Sequence, residues 1–127
     1  MIVAAVKVNI IEDNKVIRDN VSKFIGFHEE FELGQIHESA VTFLDTFIPS
    51  NTDQTQILLL DIGLPGISGL DAIPLILEKI PEINIVMLTT YEEEDVILKA
   101  LCSGACSYIS KKASLEEIVD ALRIVAN

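Results

Sequence analysis

Positive charge is scarce in this chain. Its 127 residues include nine lysines and arginines against twenty aspartates and glutamates, which gives a formal net charge of −11 at pH 7. Proteins that grip nucleic acid or an anionic membrane draw much of their affinity from clustered basic side chains. The composition therefore argues against either of these as a direct ligand of this chain.

Cysteines and long apolar runs are scarce as well. Cys102 and Cys106 are the only cysteines, and no histidine lies near them in sequence. Two thiols alone do not make a zinc site, so we expect two ordinary buried or half-buried thiols. No apolar stretch is long enough to span a bilayer, and the first residues do not resemble a secretion signal. We therefore expect a cytoplasmic protein.

Half of the residues are apolar, which is enough to give one domain over residues 1–127 a buried core. Short β-branched or apolar runs alternate with stretches of helical spacing. The predicted strands are Val6–Ile11, Phe31–Ile36, Ile57–Leu60, Ile83–Leu88 and Ser107–Ile109. The predicted helices are Asn14–Gly26, Ala40–Ile48 (stopped by Pro49), Leu70–Ile80 with Pro74 in or near its first turn, Glu92–Leu101, and Leu115–Val125 with Ser114 as N-cap. Five β–α units predict an α/β fold, with a parallel sheet covered by helices on both faces.

Asn9 does not fit this pattern, because it lies inside a run that reads as a central strand. A buried amide needs hydrogen-bond partners, and the sequence does not show which groups would supply them.

Acidic residues follow two of the predicted strands. Glu12 and Asp13 come directly after the first strand, and Asp61 follows the third. The carboxyl ends of neighbouring parallel strands meet at one edge of a sheet, so these carboxylates should lie close together. Grouped carboxylates repel one another unless a positive charge neutralises them, and hard oxygen ligands suit Mg²⁺. The sequence therefore predicts a magnesium-assisted phosphate site at this edge.

Asp61 opens a segment that turns tightly before a helix, Asp61-Ile-Gly-Leu-Pro-Gly-Ile-Ser-Gly69. We expect an exposed carboxylate there, poised as a nucleophile toward phosphorus. Thr89 and Lys111 follow the fourth and fifth strands, where a hydroxyl and an ammonium would contact a phosphate. The combination of acid pair, aspartate, threonine and lysine at successive strand ends is more specific than any one member.

On these residues the chain resembles the receiver domain of bacterial response regulators, the CheY-like family, over essentially its whole length. The matching features are the Glu12-Asp13 pair, the Asp61-x-x-x-Pro-x-x-x-Gly69 segment, Thr89, and Tyr108-Ile-Ser-Lys111. The stretch from residue 88 to residue 114 is most similar to the NarL subgroup, whose receivers precede a LuxR-type helix-turn-helix domain. The resemblance implies a doubly wound, flavodoxin-like sheet of strand order 2-1-3-4-5.

The resemblance also implies roles for individual residues. Asp61 would accept a phosphoryl group from a sensor histidine kinase, and Mg²⁺ would be bound by Glu12, Asp13, Asp61 and the backbone carbonyl of Gly63. Thr89 and Lys111 would contact the phosphate, and Tyr108 would change rotamer on activation. We expect Lys111 to gain its charge-assisted bond only once phosphate is present. We also expect a homodimer on phosphorylation, no membrane partner, and DNA contact only through an output domain absent from this chain.

The sequence departs from the family pattern in two places. Lys112 follows Lys111 where the wider family often has proline, which leaves the geometry of that peptide open. Glu12 is a tolerated variant of the family's aspartate and is longer by one methylene, so we expect it to change which acid reaches the metal through water.

Other classes of protein remain as alternatives. A flavodoxin-like cofactor binder is disfavoured because Glu12 and Asp13 would repel its phosphate. A phosphatase of the haloacid dehalogenase type usually needs a second acid where this chain has Gly63. A stand-alone receiver and a phosphate-independent pseudo-receiver acting by protein–protein interaction stay open, although the intact acids, Thr89 and Lys111 argue against the latter.

Overall fold

The chain folds into a parallel sheet with helices on both faces, as the sequence predicts. The structure is a computed structural model that describes residues 6–48 and 54–127. In these stretches the strands are β1 (Val6–Ile11), β2 (Phe31–His37), β3 (Thr55–Leu60), β4 (Asn84–Thr89) and β5 (Ser107–Ser110). The helices are α1 (Lys15–Gly26), α2 (Ala40–Thr46), α3 (Gly69–Lys79), α4 (Glu94–Cys102) and α5 (Leu115–Ala126).

The strand order is β2-β1-β3-β4-β5, with every neighbouring pair parallel. This confirms the doubly wound order 2-1-3-4-5. The order reverses between β1 and β3, and such a reversal opens a crevice at the carboxyl ends of the strands. Glu12 and Asp61 are the residues that follow β1 and β3, so the fold places them on either side of this crevice.

The core consists of two apolar layers, one on each face of the sheet. Along β3, Ile57 and Leu59 pack with α1 and α5, whereas Leu58 and Leu60 pack with α2, α3 and α4. This alternation is the two-residue period of a strand, and because both faces are covered the strand is apolar throughout. The burial holds the strand ends rigidly beneath the polar edge.

Several boundaries differ from the sequence-based prediction. β3 begins at Thr55, two residues before the predicted start at Ile57. α2 ends at Thr46 because Phe47 is extended, with φ −71° and ψ 127°. Phe47 is nevertheless buried against Phe43, which explains why its spacing resembles helix. The expected stop at Pro49 lies outside the described residues.

Some smaller features match the prediction and others do not. Pro74 is the sixth residue of α3, in its second turn, which agrees with the predicted place in or near the first turn. Cys102 and Cys106 are both free and exposed, so the expectation of buried or half-buried thiols is wrong. At the start of α5, Ser114 and Glu117 form the reciprocal capping pair that the sequence predicts.

The partners of Asn9 explain the polar residue in the central strand. Its Nδ2 donates to the Ile57 carbonyl at 3.1 Å and to Gln56 Oε1 at 3.0 Å, and its Oδ1 accepts the Gln35 amide at 2.9 Å. The pairing of β1 with β2 shifts register between Val8 and Ile10. The amide side chain therefore supplies hydrogen bonds where the strand ladder is interrupted.

Gly34 should be as important to this arrangement as Asn9. A Cβ at Gly34 would overlap the Asn9 side-chain oxygen. We expect Gly34→Ala to lower the free energy of unfolding by about 1–3 kcal/mol in urea denaturation, because the overlap displaces a buried, hydrogen-bonded group.

Gly26→Ala is the matched control for Gly34→Ala. A Cβ at Gly26 would meet only the flexible end of Leu33, at 3.3 Å, and alanine is the better helix former. Its stability should be unchanged or slightly raised. Equal stability of the two variants would show that the Asn9 interaction does not constrain β2.

Candidate functional site

Five polar residues from four successive strand ends meet at the carboxyl edge of the sheet. Oxygen atoms of Glu12, Asp13 and Asp61 lie within 4.8 Å of one another. Backbone hydrogen bonds fix two of these acids to the sheet: the Glu12 amide donates to the His37 carbonyl at 2.9 Å, and the Asp61 amide donates to the Ile11 carbonyl at 3.2 Å. The geometry thus brings together the acids that the sequence places in separate segments.

Lys111 is the positive charge that these acids require. Its Nζ lies 2.6 Å from Glu12 Oε1 and 2.8 Å from Asp61 Oδ2. Its backbone amide donates to the Thr89 carbonyl at 3.0 Å, which anchors the residue beside β4. The peptide bond to Lys112 is trans. Lys111 is therefore already paired in the unphosphorylated protein, and the expectation that it gains a charge-assisted bond only with phosphate is wrong.

The pKa values of both Lys111 and Glu12 are raised in this contact. Burial lowers the pKa of Lys111, but its contacts with the Asp61 and Glu12 carboxylates outweigh burial and raise the pKa above the usual 10.5. Its contribution to stability is therefore present below that pH and is lost only as pH rises through the raised pKa. Burial, only partly offset by Lys111, raises the pKa of Glu12.

The two carboxylate oxygens of Glu12 have different partners. Oε2 accepts the Asn14 amide at 3.0 Å. Oε1 is buried and accepts no hydrogen bond from the described residues. Its close contact with the Lys111 ammonium is therefore an ion pair without hydrogen-bond geometry. A buried carboxylate oxygen with spare acceptor capacity is a group that a hard cation can use.

Asp61 is only 5% exposed, contrary to the expectation of an exposed carboxylate. Its Oδ1 accepts the Ile62 amide at 2.7 Å, and its Oδ2 contacts Lys111. The following loop is folded tightly over it, because Gly69 donates to the Ile62 carbonyl at 2.8 Å. A Cβ at Gly69 would overlap the Asp61 carbonyl, which explains why the segment ends in glycine.

Thr89 and Tyr108 converge on the loop that follows β4. Thr89 is fully buried, and its Oγ1 accepts the Tyr91 amide at 3.3 Å. The Tyr108 hydroxyl donates to the Tyr91 carbonyl, and burial raises the pKa of Tyr108. These contacts connect Thr89 to the half-buried Tyr108 through the backbone of Tyr91.

Two further residues belong to the site that the motifs did not single out. Arg18 donates to the carbonyl oxygens of Glu12 and Asp13, at 2.8 and 3.3 Å, and so holds the acidic loop. The ring of Tyr91 lies over Gly63, 3.4 Å from where a Cβ would be. A basic residue one turn into the helix after the acids is a sequence signal for Arg18, whereas no local pattern indicates the Tyr91 contact.

The donor set fits Mg²⁺. Three carboxylates, one of which has a buried oxygen that accepts no hydrogen bond, offer the hard oxygen ligands that this ion prefers. The exposed Gly63 lies in the adjoining loop, where the family resemblance assigns its carbonyl to the metal.

Fold and site together define a doubly wound α/β protein with an acid cluster and a lysine at the strand-order reversal. The chain belongs to the response regulator receiver domain family, whose profile matches residues 8–123. Receiver domains of this family act in two-component signalling, in partnership with histidine kinases, and bind Mg²⁺ at such an acidic pocket.

Comparison with known proteins places the chain near regulators of the LuxR type. It is 31% identical to the oxygen regulatory protein NreC of Staphylococcus carnosus and 30% identical to the response regulator protein VraR of Staphylococcus epidermidis, over 94% of this chain and 54% and 56% of theirs. A crystal structure of a LuxR-family DNA-binding response regulator from Staphylococcus aureus is 26% identical, with a TM-score of 0.83 over 95% of this chain and 98% of that one.

The chain spans about half the length of the curated relatives it matches. In the described stretches, every helix is too short or too polar to cross a bilayer.

Lys111 should contribute to the stability of the unphosphorylated fold. Lys111→Met leaves the Glu12 and Asp61 carboxylates buried without their cation. We expect a loss of about 1–3 kcal/mol in the free energy of unfolding, measured in EDTA. This loss lies between those that follow from breaking an exposed salt bridge and from breaking a fully buried one. Mg²⁺ should recover part of this loss, as measured by urea denaturation.

Lys112→Met is the matched control, because Lys112 is exposed and lies 3.7 Å from Glu92. Its effect should stay within about 0.5 kcal/mol. If both variants unfold at the same urea concentration, Lys111 does not stabilise the acid cluster.

Proposed function

We propose that this chain is a phosphorylation-controlled switch in which Asp61 is the phosphoacceptor. The observation that carries the proposal is the convergence of Asp61 with two further acids and Lys111 at the crevice of a receiver fold. A carboxylate oxygen of Asp61 attacks the phosphorus of a phosphohistidine on a sensor kinase. An oxygen–phosphorus bond forms, the phosphorus–nitrogen bond breaks, and the imidazole nitrogen leaves with its electron pair.

Glu12, Asp13, Asp61 and the Gly63 carbonyl are the proposed ligands of Mg²⁺, directly or through water. When bound, the ion screens the negative charge of the incoming phosphoryl group. Few protein ligands and several retained waters imply weak binding. The chain is then no enzyme toward other substrates, since it catalyses only its own phosphorylation and dephosphorylation.

The switch runs through Thr89 and Tyr108. Phosphate on Asp61 presents new acceptor oxygens, which attract the Thr89 hydroxyl and the Lys111 ammonium. Movement of Thr89 removes the acceptor of the Tyr91 amide and so disturbs the loop to which Tyr108 is bonded. Tyr108 then changes rotamer and alters the surface formed by α4, β5 and α5, a local charge event that biases a two-state element.

The proposed output is a helix-turn-helix transcription-factor domain outside this chain. Support comes from the relatives, which are about twice as long, and from the similar S. aureus protein, which is a LuxR-family DNA-binding response regulator. DNA would be contacted only through that domain, in the cytoplasm. A stand-alone or phosphate-independent interaction module is the alternative.

Phosphorylation of Asp61 can be measured by intact mass. Incubation with acetyl phosphate and Mg²⁺ should add about 80 Da, one phosphoryl group, because the carboxylate is the nucleophile. Asp61→Asn should gain no mass, whereas Asp71→Asn, an exposed control ten residues further along the chain, should label normally. Asp13→Ala should lose most of the labelling. Equal labelling of Asp61→Asn and the native chain would refute the assignment.

Phosphorylation should also promote homodimers. Tyr91, Leu98 and Leu101 are exposed apolar side chains on and beside α4, and aromatic residues on a surface that repacks can become contact anchors. A charge of −11 per chain opposes pairing before activation. We expect a monomer without beryllofluoride, a phosphoryl mimic, and self-association with it at about tens of micromolar in sedimentation velocity.

Leu98→Asp should abolish the beryllofluoride-induced association. Val16→Asp, at an exposed apolar position on α1, is the matched control and should leave the association unchanged. A monomer in both states at these concentrations would exclude dimerisation as the output of this chain.

A further inference from the structure

Asp13 differs from the other two acids of the site, because no contact of its own fixes its carboxylate. Glu12 and Asp61 each have a backbone amide on one carboxylate oxygen and the Lys111 ammonium on the other. Asp13 is exposed, and among the residues that the structure describes its carboxylate makes no hydrogen bond or ion pair. One of its oxygens nevertheless lies within 4.8 Å of an oxygen of each other acid. The backbone of the loop after β1 therefore supplies its position.

Arg18 holds this backbone from the first turn of α1. Its Nη1 donates to the carbonyl oxygens of Glu12 and Asp13, at 2.8 and 3.3 Å. In the described part of the chain no backbone amide donates to either carbonyl, so the guanidinium is the group that satisfies them. The helix is itself fixed against the sheet by the buried side chains of Val21 and Ile25. The guanidinium thus joins a well-packed helix to the two peptide units on either side of the Asp13 Cα.

We infer that Arg18 is the positioning residue for Asp13, because it bonds the two peptide carbonyls that flank the Asp13 Cα and so directs that carboxylate toward the other acids. Since peptide units are planar, fixing both of them limits the φ and ψ angles of Asp13 and the direction of its side chain. The inference rests on the proposed metal site and deepens it by stating how its exposed ligand is placed. Groups that orient a ligand change metal affinity about 10–100-fold without touching the ion.

Charge and positioning predict opposite effects of removing Arg18. A guanidinium near the acids repels an incoming Mg²⁺, so if only its charge mattered, its loss would strengthen metal binding. If Arg18 positions Asp13, its loss weakens metal binding, because the Asp13 carboxylate then samples directions away from the other ligands. The sign of the change in affinity therefore separates the two roles.

The test is a titration with Mg²⁺ alone, without a phosphodonor, followed by the amide NMR signals of Ile62 and Gly63. Arg18→Met keeps a good helix former and should lower the affinity about tenfold. Arg18→Gln, a second variant without the guanidinium, should behave in the same way. Lys15→Met is the matched control, because Lys15 is an exposed cation in the same turn of α1 that pairs with Asp19. It should leave the affinity unchanged or raise it by less than about twofold.

The side-chain carboxyl ¹³C signals show whether Arg18 acts through Asp13. At Mg²⁺ concentrations that saturate the site, the Asp13 signal should shift in the native chain and in Lys15→Met, and should stay nearly unshifted in Arg18→Met. The Asp61 signal should shift in all three, because the bonds of Asp61 to the Ile62 amide and to the lysine ammonium do not depend on Arg18.

Each outcome distinguishes the positioning role from the proposed function. Unchanged or higher Mg²⁺ affinity in Arg18→Met overturns the positioning role and leaves the metal site intact. Lower affinity with an Asp13 signal that shifts as in the native chain overturns it as well, because Arg18 then acts on another ligand. Absence of binding in the native chain contradicts the metal site and with it this inference, and the mass measurement on Asp61 then decides the phosphoacceptor separately.

Discussion

Repulsion among carboxylates at one sheet edge is the constraint on which this structure depends. Oxygens of Glu12, Asp13 and Asp61 lie within 4.8 Å of one another, where like charges repel, and the Lys111 ammonium offsets this repulsion by contacting two of them. The same pairing links the end of β5 to the ends of β1 and β3, across the intervening strand β4. The grouped acids therefore need a positive charge for the stability of the fold, and Lys111, which follows the edge strand β5, supplies it.

The sheet can hold these carboxylates close together because packing and hydrogen bonds fix its strand ends in place. Apolar layers cover both faces, and backbone hydrogen bonds fix Glu12 and Asp61 to neighbouring strands. Close packing does the same for the loops, since Gly69 leaves no room for a side chain against the Asp61 carbonyl. Arg18 adds a positive charge behind the acidic loop. We propose that a charge change at Asp61 is transmitted through Lys111, Thr89 and the Tyr91 backbone.

The meeting of the acids was predictable from sequence, because it follows from residues that end apolar runs in an α/β pattern. The strand order 2-1-3-4-5 followed from the resemblance to receiver domains. The ionic state of the site was not predictable, since the distance between Glu12 and Lys111 depends on how far β1 lies from β5 in the folded sheet. The burial of Asp61 and the hydrogen bonds of Asn9 could not be predicted either, because both depend on residues that are distant in sequence and meet only in the folded chain. The predicted α2 was too long. Phe47 is buried at a position that fits helical spacing, but its backbone is extended.

Lys111 bridges two carboxylates before phosphorylation, and a crystal structure of the native chain grown without divalent cations would show this contact. We expect Lys111 Nζ within hydrogen-bonding distance of both Glu12 and Asp61, with Glu12 Oε2 accepting the Asn14 amide. A Lys111 side chain directed to solvent, with the Glu12 and Asp61 carboxylates apart from it, would show that Lys111 does not hold the acids together.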